Sequence, residues 1–313
     1  MTGTQIELVV AAVEESAHAV RTVRLVAPDG APLPSFVPGS HLVVDCGGRS
    51  NAYSLVGESI APAEYAISVL LVEDGSGGSA WVHGLAAGDR VSALRPRSAF
   101  APIASATRHL LVAGGIGVTP VVSHLRAARH WGRDVQVLYV FREGHGAHVD
   151  DVKELAGDAA EFFGDRVGFT ERLRTVLAEQ PLGTHVYVCG PGAMIDDVLE
   201  AATEAGWPAS RVHSERFGLD ALDPGEPFRV TLTETGTDVE VPSGTSLLEA
   251  LEGVGLDVPN LCRQGVCGEC RIPVSAGTPL HRDLYLTDEE KQACDAIMPC
   301  VSRADGPTLE VPL

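Results

Sequence analysis

The sequence predicts a multidomain chain: an antiparallel β-barrel, then a doubly wound parallel α/β sheet, then a small β domain that carries a cysteine loop. Three observations lead there. Short apolar runs separated by Pro and Gly clusters fill the first third. Strand patterns alternate with helix patterns in the middle. Five of the seven cysteines fall in the last 52 residues. With 313 residues, 45% of them hydrophobic and 21% charged, the chain has enough apolar surface for several cores, which excludes an intrinsically disordered protein.

Residues 1–103 hold six strand-length runs: Ile6–Val13, Val20–Val26, His41–Cys46, Ala52–Val56, Tyr65–Val72 and Arg90–Leu94. Turn residues such as Ala27-Pro28-Asp29-Gly30 and Pro38-Gly39 separate them, the spacing of a small antiparallel barrel. One helix is expected near Gly78-Ser79, carrying Trp81, Val82 and Leu85. Gly75-Ser76-Gly77-Gly78-Ser79 before it reads either as a flexible loop or as a phosphate cradle. Tyr53 reads either as plain barrel core or as a stacking platform. A stacking Tyr, a hydroxyl and a phosphate cradle together suit a flavin mononucleotide.

Residues 104–222 open on the buried-strand run His109–Ala113, followed by Gly114-Gly115-Ile116-Gly117-Val118-Thr119-Pro120 and a helical pattern over Val121–His130. Val135–Phe141 is the next strand; Val186–Cys189 is a later one, before a helix over Met194–Ala205. The first glycine turn alone is compatible with a tight βα connection. Cys189-Gly190-Pro191-Gly192 repeats the arrangement after a second strand, and two such turns on one parallel sheet make a dinucleotide crevice.

Residues 223–313 follow the turn-rich Asp223-Pro224-Gly225-Glu226-Pro227. Phe228–Thr233 and Thr237–Val241 read as a hairpin, and Ser246-Leu247-Leu248-Glu249 as a capping box opening a helix through Leu251. Cys262, Cys267 and Cys270 form C-x4-C-x2-C, and Cys300 follows with 29 residues between it and Cys270. This is the spacing of plant-type 2Fe-2S ferredoxins. Gly265 and Gly268 let backbone amides turn toward the sulfurs of an anionic cluster. The alternative is structural zinc, which usually shows two C-x2-C knuckles where this chain has one. Cys294 is a rival fourth ligand but follows a helical stretch, Asp288–Ala293, and reads as a small helix residue. Cys46 and Cys189 read as buried or cofactor-adjacent thiols.

Charge narrows the function classes. Basic residues number 23 and acidic residues 42, for a net charge of -19. Residues 223–313 contribute 16 acidic and 6 basic side chains. Such a balance argues against nucleic acid or an anionic membrane as the main partner. No apolar run reaches about 18 residues, and the first 20 residues hold no Lys or Arg, so neither a membrane span nor a secretory signal is expected, and a cytoplasmic location is.

The order of Tyr-Ser-Leu strand, Gly-Gly-Ile-Gly-Val-Thr-Pro turn, Cys-Gly-Pro turn and C-x4-C-x2-C…C resembles the phthalate dioxygenase reductase family, including vanillate demethylase and carnitine monooxygenase reductases, over essentially the whole chain. The resemblance implies a ferredoxin reductase-like pair, an FMN-binding barrel (1–103) and an NADH-binding α/β domain (104–222), followed by a β-grasp plant-type 2Fe-2S ferredoxin domain (223–313). It implies flavin contacts from Asn51, Ala52, Tyr53 and Ser54, an FMN-phosphate turn at Gly78 and Ser79, and an NADH turn at Gly115, Gly117, Val118, Thr119 and Pro120. Arg142 would approach the ribose side and Cys189, Gly190 and Pro191 the nicotinamide side, with Glu215 and Phe217 closing over the flavin. Ser54, Thr119 and Phe217 would be flavin-proximal, and the cluster ligands would be Cys262, Cys267, Cys270 and Cys300. No acid, base or nucleophile is assigned, because the chemistry belongs to the cofactors.

One position departs from the family. Asn51 stands where the wider family has Arg, leaving Arg49 or Arg97 as candidates to face the phosphate. The implied activity passes electrons from NADH through FMN to the cluster and on to a terminal oxygenase, either Rieske non-haem iron or haem-thiolate. The acidic ferredoxin segment would dock that partner, and a monomer is expected. A stand-alone NADH oxidase or flavin reductase, or a redox sensor with a degenerate flavin site, are the competing readings.

Overall fold

The computed structural model describes residues 5–73, 75, 77–98, 100–217, 225–260, 265, 268–283 and 285–313. They divide into two compact units, Ile6–Pro96 with Phe100–Leu222, and Asp223–Leu313 with Met1–Gln5 and Arg97–Ala99.

The first unit begins with β1 (Gln5–Ala17), β2 (Val20–Val26), β3 (His41–Asp45), β4 (Ser50–Ser54), β5 (Tyr65–Leu70), the short α1 (Gly78–His83) and β6 (Arg90–Leu94). The strands form one sheet in the order β4-β3-β6-β1-β2-β5. An antiparallel bridge between Leu55, just past β4, and Ile67 on β5 ties the two edges together, closing the barrel. Alternation explains the closure: Leu8, Val10, Val23, Leu25, Leu42, Val44, Tyr65 and Ile67 point into one core, and intervening residues such as Thr22, Ser54 and Ser68 do not belong to it. All six strands expected from the sequence are present, within two residues at either end except for a longer β1.

The same unit continues with β7 (Arg108–Gly114), α2 (Val118–Trp131), β8 (Asp134–Val140), α3 (Val149–Ala156), β9 (Ala160–Phe163), α4 (Arg166–Ala178), β10 (Thr184–Cys189), α5 (Gly192–Glu204) and β11 (Val212–Glu215). Their sheet runs β11-β10-β7-β8-β9, and every pairing is parallel. Residues on opposite faces of β7 feed two separate cores, Leu111 and Ala113 on one side and Leu110 and Val112 on the other, as a sheet covered on both faces requires. Four elements had no counterpart in the sequence expectations: α3, β9, α4 and β11. Strand β9 has only four residues, and α4 carries Gly168 near its start, where the Asp165 side chain caps the helix by accepting the Gly168 N–H at 2.9 Å.

The second unit holds β12 (Phe228–Leu232), β13 (Thr237–Val241), α6 (Leu247–Gly253), β14 (Ile272–Pro273), β15 (Pro279–Leu280), α7 (Asp288–Ala293), β16 (Ala296–Ile297), β17 (Arg303–Ala304) and β18 (Thr308–Val311). The expected hairpin forms as β12 and β13, and β18 joins β12 in parallel. The expected capping box also forms: Ser246 Oγ accepts the Glu249 N–H at 3.2 Å, and Glu249 Oε2 accepts the Ser246 N–H at 2.9 Å. A second box, Thr287 with Glu290, opens α7. Cys294 is not inside a helix; it ends α7 in the left-handed conformation, φ 54°. Cys270 and Cys300 belong to this unit's core.

Candidate functional site

Strand order places the first part of the site. β7 leads through α2 to β8 on one side, whereas the chain later crosses back to lay β10 on the other side of β7. Ligands of doubly wound sheets bind at such a reversal, outside the carboxyl ends of the strands. Both glycine turns lie there. Cys189 is in register with Ala113, so the turns after β10 and β7 leave the sheet side by side. A Cβ on Gly117 would sit 2.3 Å from the Cys189 carbonyl oxygen, and one on Gly190 would sit 3.0 Å from Gly114 Cα. The two turns touch backbone to backbone, which only glycine allows.

Helix α2 starts on that crevice with Val118, Thr119 and Pro120. No side chain caps it and no acidic residue occupies its first turn, so its amide end suits an anionic pyrophosphate. Pro120 sits in the first turn, where its missing N–H costs nothing. Arg142 is exposed beyond the end of β8. Glu215 is level with Cys189 on the neighbouring strand. Burial, reinforced by the nearby Glu215 carboxylate, pushes the Cys189 thiol well above its ordinary range, so it is no nucleophile.

The second part is a cavity of about 280 Å³. The barrel contributes Asn51, Ala52, Tyr53 and Ser54 from β4, Ser68, Val69 and Leu70 from β5, and Gly78 and Ser79 from α1. The parallel-sheet part contributes Ile116, Thr119 and, beyond β11, Phe217. Eight residues assigned to the flavin or its vicinity therefore meet around one space. Phe217 leaves 43% of its surface exposed, unusual for a large aromatic side chain and suited to cover by a flat ring. Hydroxyls from Ser54, Ser68 and Thr119 punctuate a mainly apolar wall, the lining a flavin ring needs.

Asn51 has a structural place of its own. Its amide packs on the start of α1 so closely that a Cβ on Gly78 would lie 2.3 Å from Oδ1. An arginine cannot take that position unchanged. Of the two cations considered as substitutes, Arg49 does not line the cavity, and Arg97 is 3.6 Å from Glu249. Cys46 is buried, 4.0 Å from the Tyr53 hydroxyl, and desolvation pushes its thiol up to about 11. Ser68, Val69, Leu70 and Ile116 were not anticipated from sequence. Ser68 had a signal, as the one polar residue in the buried strand Tyr-Ala-Ile-Ser-Val-Leu.

The third part is the cysteine site. Cys262 and Cys267 lie outside the described residues. Cys270 and Cys300, 30 residues apart in sequence, bring their sulfurs to 3.3 Å. That is too far for a disulfide (about 2.05 Å) and near enough for two ligands of one centre. The Cys300 thiol holds Cys270 below the usual thiol range. Gly265 and Gly268 take left-handed backbone, φ 72° and 82°, and Cβ atoms there would run into Val301 and the Tyr285 ring at 2.6 and 2.2 Å. The residues present fit a cluster.

Residues 230–305 match the family model of the 2Fe-2S iron-sulfur cluster binding domain, and residues 90–212 that of the dimethylamine monooxygenase subunit DmmA-like N-terminal domain. The chain is 35% identical to phthalate dioxygenase reductase of Burkholderia cepacia, over 98% of this chain and 97% of that one. It belongs to the phthalate dioxygenase reductase family. The reductase is also 39% identical to the heme-dependent oxidative N-demethylase beta subunit of Ectopseudomonas mendocina, covering 97% of both chains. It is 36% identical to the carnitine monooxygenase reductase subunit of Escherichia coli, over 98% of both. Among solved structures, a phthalate dioxygenase reductase superposes with TM-score 0.64 at 33% identity, over 99% of this chain and 98% of that one. A type IV self-sufficient cytochrome P450 monooxygenase superposes with TM-score 0.70 at 34% identity over 99% of this chain, which spans 41% of the P450.

The fold is thus a ferredoxin reductase-like flavin and nucleotide pair followed by a 2Fe-2S domain, and the cofactors are FMN, NADH and the cluster. The reductase is an oxidoreductase component of an oxygenase system. Zinc, the stand-alone oxidase and the sensor are set aside. Among the described residues no helix is long and apolar enough to cross a membrane.

Proposed function

We propose that residues 1–103, 104–222 and 223–313 act as flavin, nucleotide and ferredoxin domains, and that the reductase feeds single electrons to a terminal oxygenase acting on a methylated or otherwise N-substituted amine. The observation that carries the electron path is the shared cavity, in which Tyr53 and Ser54 from the barrel meet Thr119 and Phe217 from the nucleotide side. In this reading Tyr53 and Phe217 bracket the flavin ring, Ser54 hydrogen-bonds it, and Asn51, Gly78 and Ser79 hold its phosphate end. Gly115, Gly117, Val118, Thr119 and Pro120 receive the NADH pyrophosphate, and Cys189, Gly190, Pro191, Glu215 and Arg142 frame the rest of that nucleotide. When bound, the flavin takes two electrons together from NADH and releases them one at a time to the cluster. The chain's own task is placement and exclusion of water.

The amine-oxygenase partner is favoured by the relatives named above, two of which serve N-demethylation or carnitine oxidation, and by the match to the DmmA-like model. Haem and Rieske partners are both compatible with it. The 16 acidic side chains among residues 223–313 supply a docking face for a basic patch on that partner. Purified protein should show flavin and iron–sulfur absorbance, both bleached by anaerobic NADH. Co-expression with candidate oxygenases should yield substrate-dependent NADH consumption with an amine oxygenase. Absence of bound FMN that fails to rebind, or zinc in place of iron, would end this reading.

A further inference from the structure

Behind the flavin cavity lies a second, polar cavity of about 290 Å³ for which the electron path has no use. Glu14, Thr22, Arg24, Arg126, His148 and Asp151 are among its lining residues. One side chain from each cavity joins the two. Ser68 lines the flavin cavity, and its Oγ is 2.8 Å from His148 Nε2. His148 Nδ1 is in turn 2.7 Å from Asp151 Oδ2. The Leu55–Ile67 bridge sets Ser54 across the barrel seam from Ser68, and both residues line the flavin cavity.

The arrangement is directional. The Asp151 carboxylate can only accept, which assigns the His148 proton to Nδ1 and leaves Nε2 of the neutral ring to accept from the Ser68 hydroxyl. Ser68 Oγ also lies 2.7 Å from Thr22 Oγ1, which lies 2.9 Å from Ser16 Oγ. Arg126 Nη2 donates to Asp151 Oδ1 at 2.9 Å. Both partners hold the carboxylate below its usual range, the His148 hydrogen bond first. Arg24 and Glu14 form a 3.4 Å ion pair on the same cavity. His148 is itself held in left-handed backbone, φ 54°, which a non-glycine residue adopts at a cost. The Tyr139 hydroxyl, 3.0 Å from both the Ala147 and Gly115 carbonyls, ties this loop to the nucleotide turn.

We propose that Ser68, His148 and Asp151 form a proton exit from the flavin cavity to the polar cavity behind it. The inference rests on the electron path proposed above. Hydride transfer from NADH followed by departure of two single electrons leaves one proton per NADH: NADH and two oxidised one-electron acceptors give NAD⁺, two reduced acceptors and H⁺. Ser68 Oγ passes its proton to His148 Nε2 and takes one from the cavity side. Asp151 stabilises the imidazolium, and the Nδ1 proton leaves along its carboxylate to water in the second cavity. That leaves the ring as its Nε2–H tautomer, and a flip of the imidazole about Cβ–Cγ returns an N–H to Asp151 and a lone pair to Ser68 before the next turnover. Ser68 and His148 are positioning and relay groups, separate from those that bind nucleotide.

Two measurements test the relay. In the flavin-free protein, ¹⁵N NMR of the His148 ring should show the Nδ1–H tautomer. Ser68→Ala should move the Nε2 resonance, and Ser68→Thr should leave it near its original place. In the holoprotein, stopped-flow separates bleaching by NADH from electron delivery to a one-electron acceptor. His148→Asn, which lies outside the flavin cavity, should bleach within about twofold of the parent. His148→Asn and Ser68→Ala should both deliver electrons about 100-fold more slowly, with an altered solvent deuterium isotope effect. Ser68→Thr should retain the rate. Should His148→Asn fail to fold, the two Ser68 variants decide the matter. Equal delivery rates for Ser68→Ala, Ser68→Thr and the parent, or a His148 ring unresponsive to Ser68, would overturn the relay. A parent protein that NADH does not bleach would overturn the electron path itself.

Discussion

Gly117→Ala and Gly115→Ala sit two residues apart in one turn and should fail for different reasons. Gly117 has ordinary backbone (φ -62°), so its substitution strains nothing locally. Its new Cβ, however, would lie 2.3 Å from the Cys189 oxygen and 2.6 Å from the Gly190 nitrogen, about 1 Å short of the 3.4 Å at which ordinary contact begins. Both obstacles are backbone of the facing turn, so the turns must part. Overpacking of this kind costs about 1–3 kcal/mol. Gly115 is the opposite case: nothing lies within 4 Å of its Cβ position, but φ is +52°. The left-handed conformation costs alanine roughly 1–2 kcal/mol, offset by about 0.4–1 kcal/mol of lost freedom in the unfolded chain. Gly117→Ala should therefore lower the melting temperature by about 2–4 °C per kcal/mol, and Gly115→Ala by less. Parting the turns also misplaces the nucleotide, so Gly117→Ala should lose about 100-fold in kcat/KM for NADH. Thermal melts of the holoprotein and steady-state reduction of a dye measure both. If Gly117→Ala melts and binds NADH like the parent, the backbone contact between the two turns is not part of the site.

Cys300→Ser should abolish the iron–sulfur absorbance while bound FMN remains, whereas Cys294→Ala, changed at the end of α7, should retain iron and acid-labile sulfide. His124 is fully buried, and desolvation takes its ring down to about 3. Below an unfolded value near 6.5 the unfolded chain gains a proton that the folded chain refuses. Stability should therefore fall from about pH 6.5 toward pH 3, by up to about 1.4 kcal/mol per pH unit. Replacing His124 with Gln should flatten that limb in denaturation curves taken between pH 4 and 7. Electron delivery to the partner oxygenase should slow as ionic strength rises, if the acidic ferredoxin domain docks it. A rate independent of salt would refute that docking face.

Much of this architecture was legible because the signals are local. Strand β2 alternates over seven residues, Ser246 and Glu249 stand at the spacing of a capping box, and Cys262, Cys267 and Cys270 fall within nine residues of sequence. The stretch from Arg142 to Gly183 was opaque for the converse reason. β9 is only four residues long, and the pattern of α4 is broken by Gly168 and threonines, so each gains its shape from the sheet it packs against. The placement of Cys294 at a helix end rather than within it depends on one left-handed residue that composition does not announce.

By itself, the sequence determined the order of barrel strands, parallel-sheet elements and cysteine motif, the two glycine turns that follow strands, and the spacing of the sulfurs, because each depends on residue type and near-neighbour spacing. Only the tertiary structure decided which distant groups meet. It laid Gly117 on Cys189, brought Cys270 to Cys300, set Phe217 beside the cavity of Tyr53, and joined Ser68 to His148 across 80 residues of chain. Those meetings are fixed by strand order and register, since a parallel crossover and a closed barrel seam bring together segments that share no local pattern.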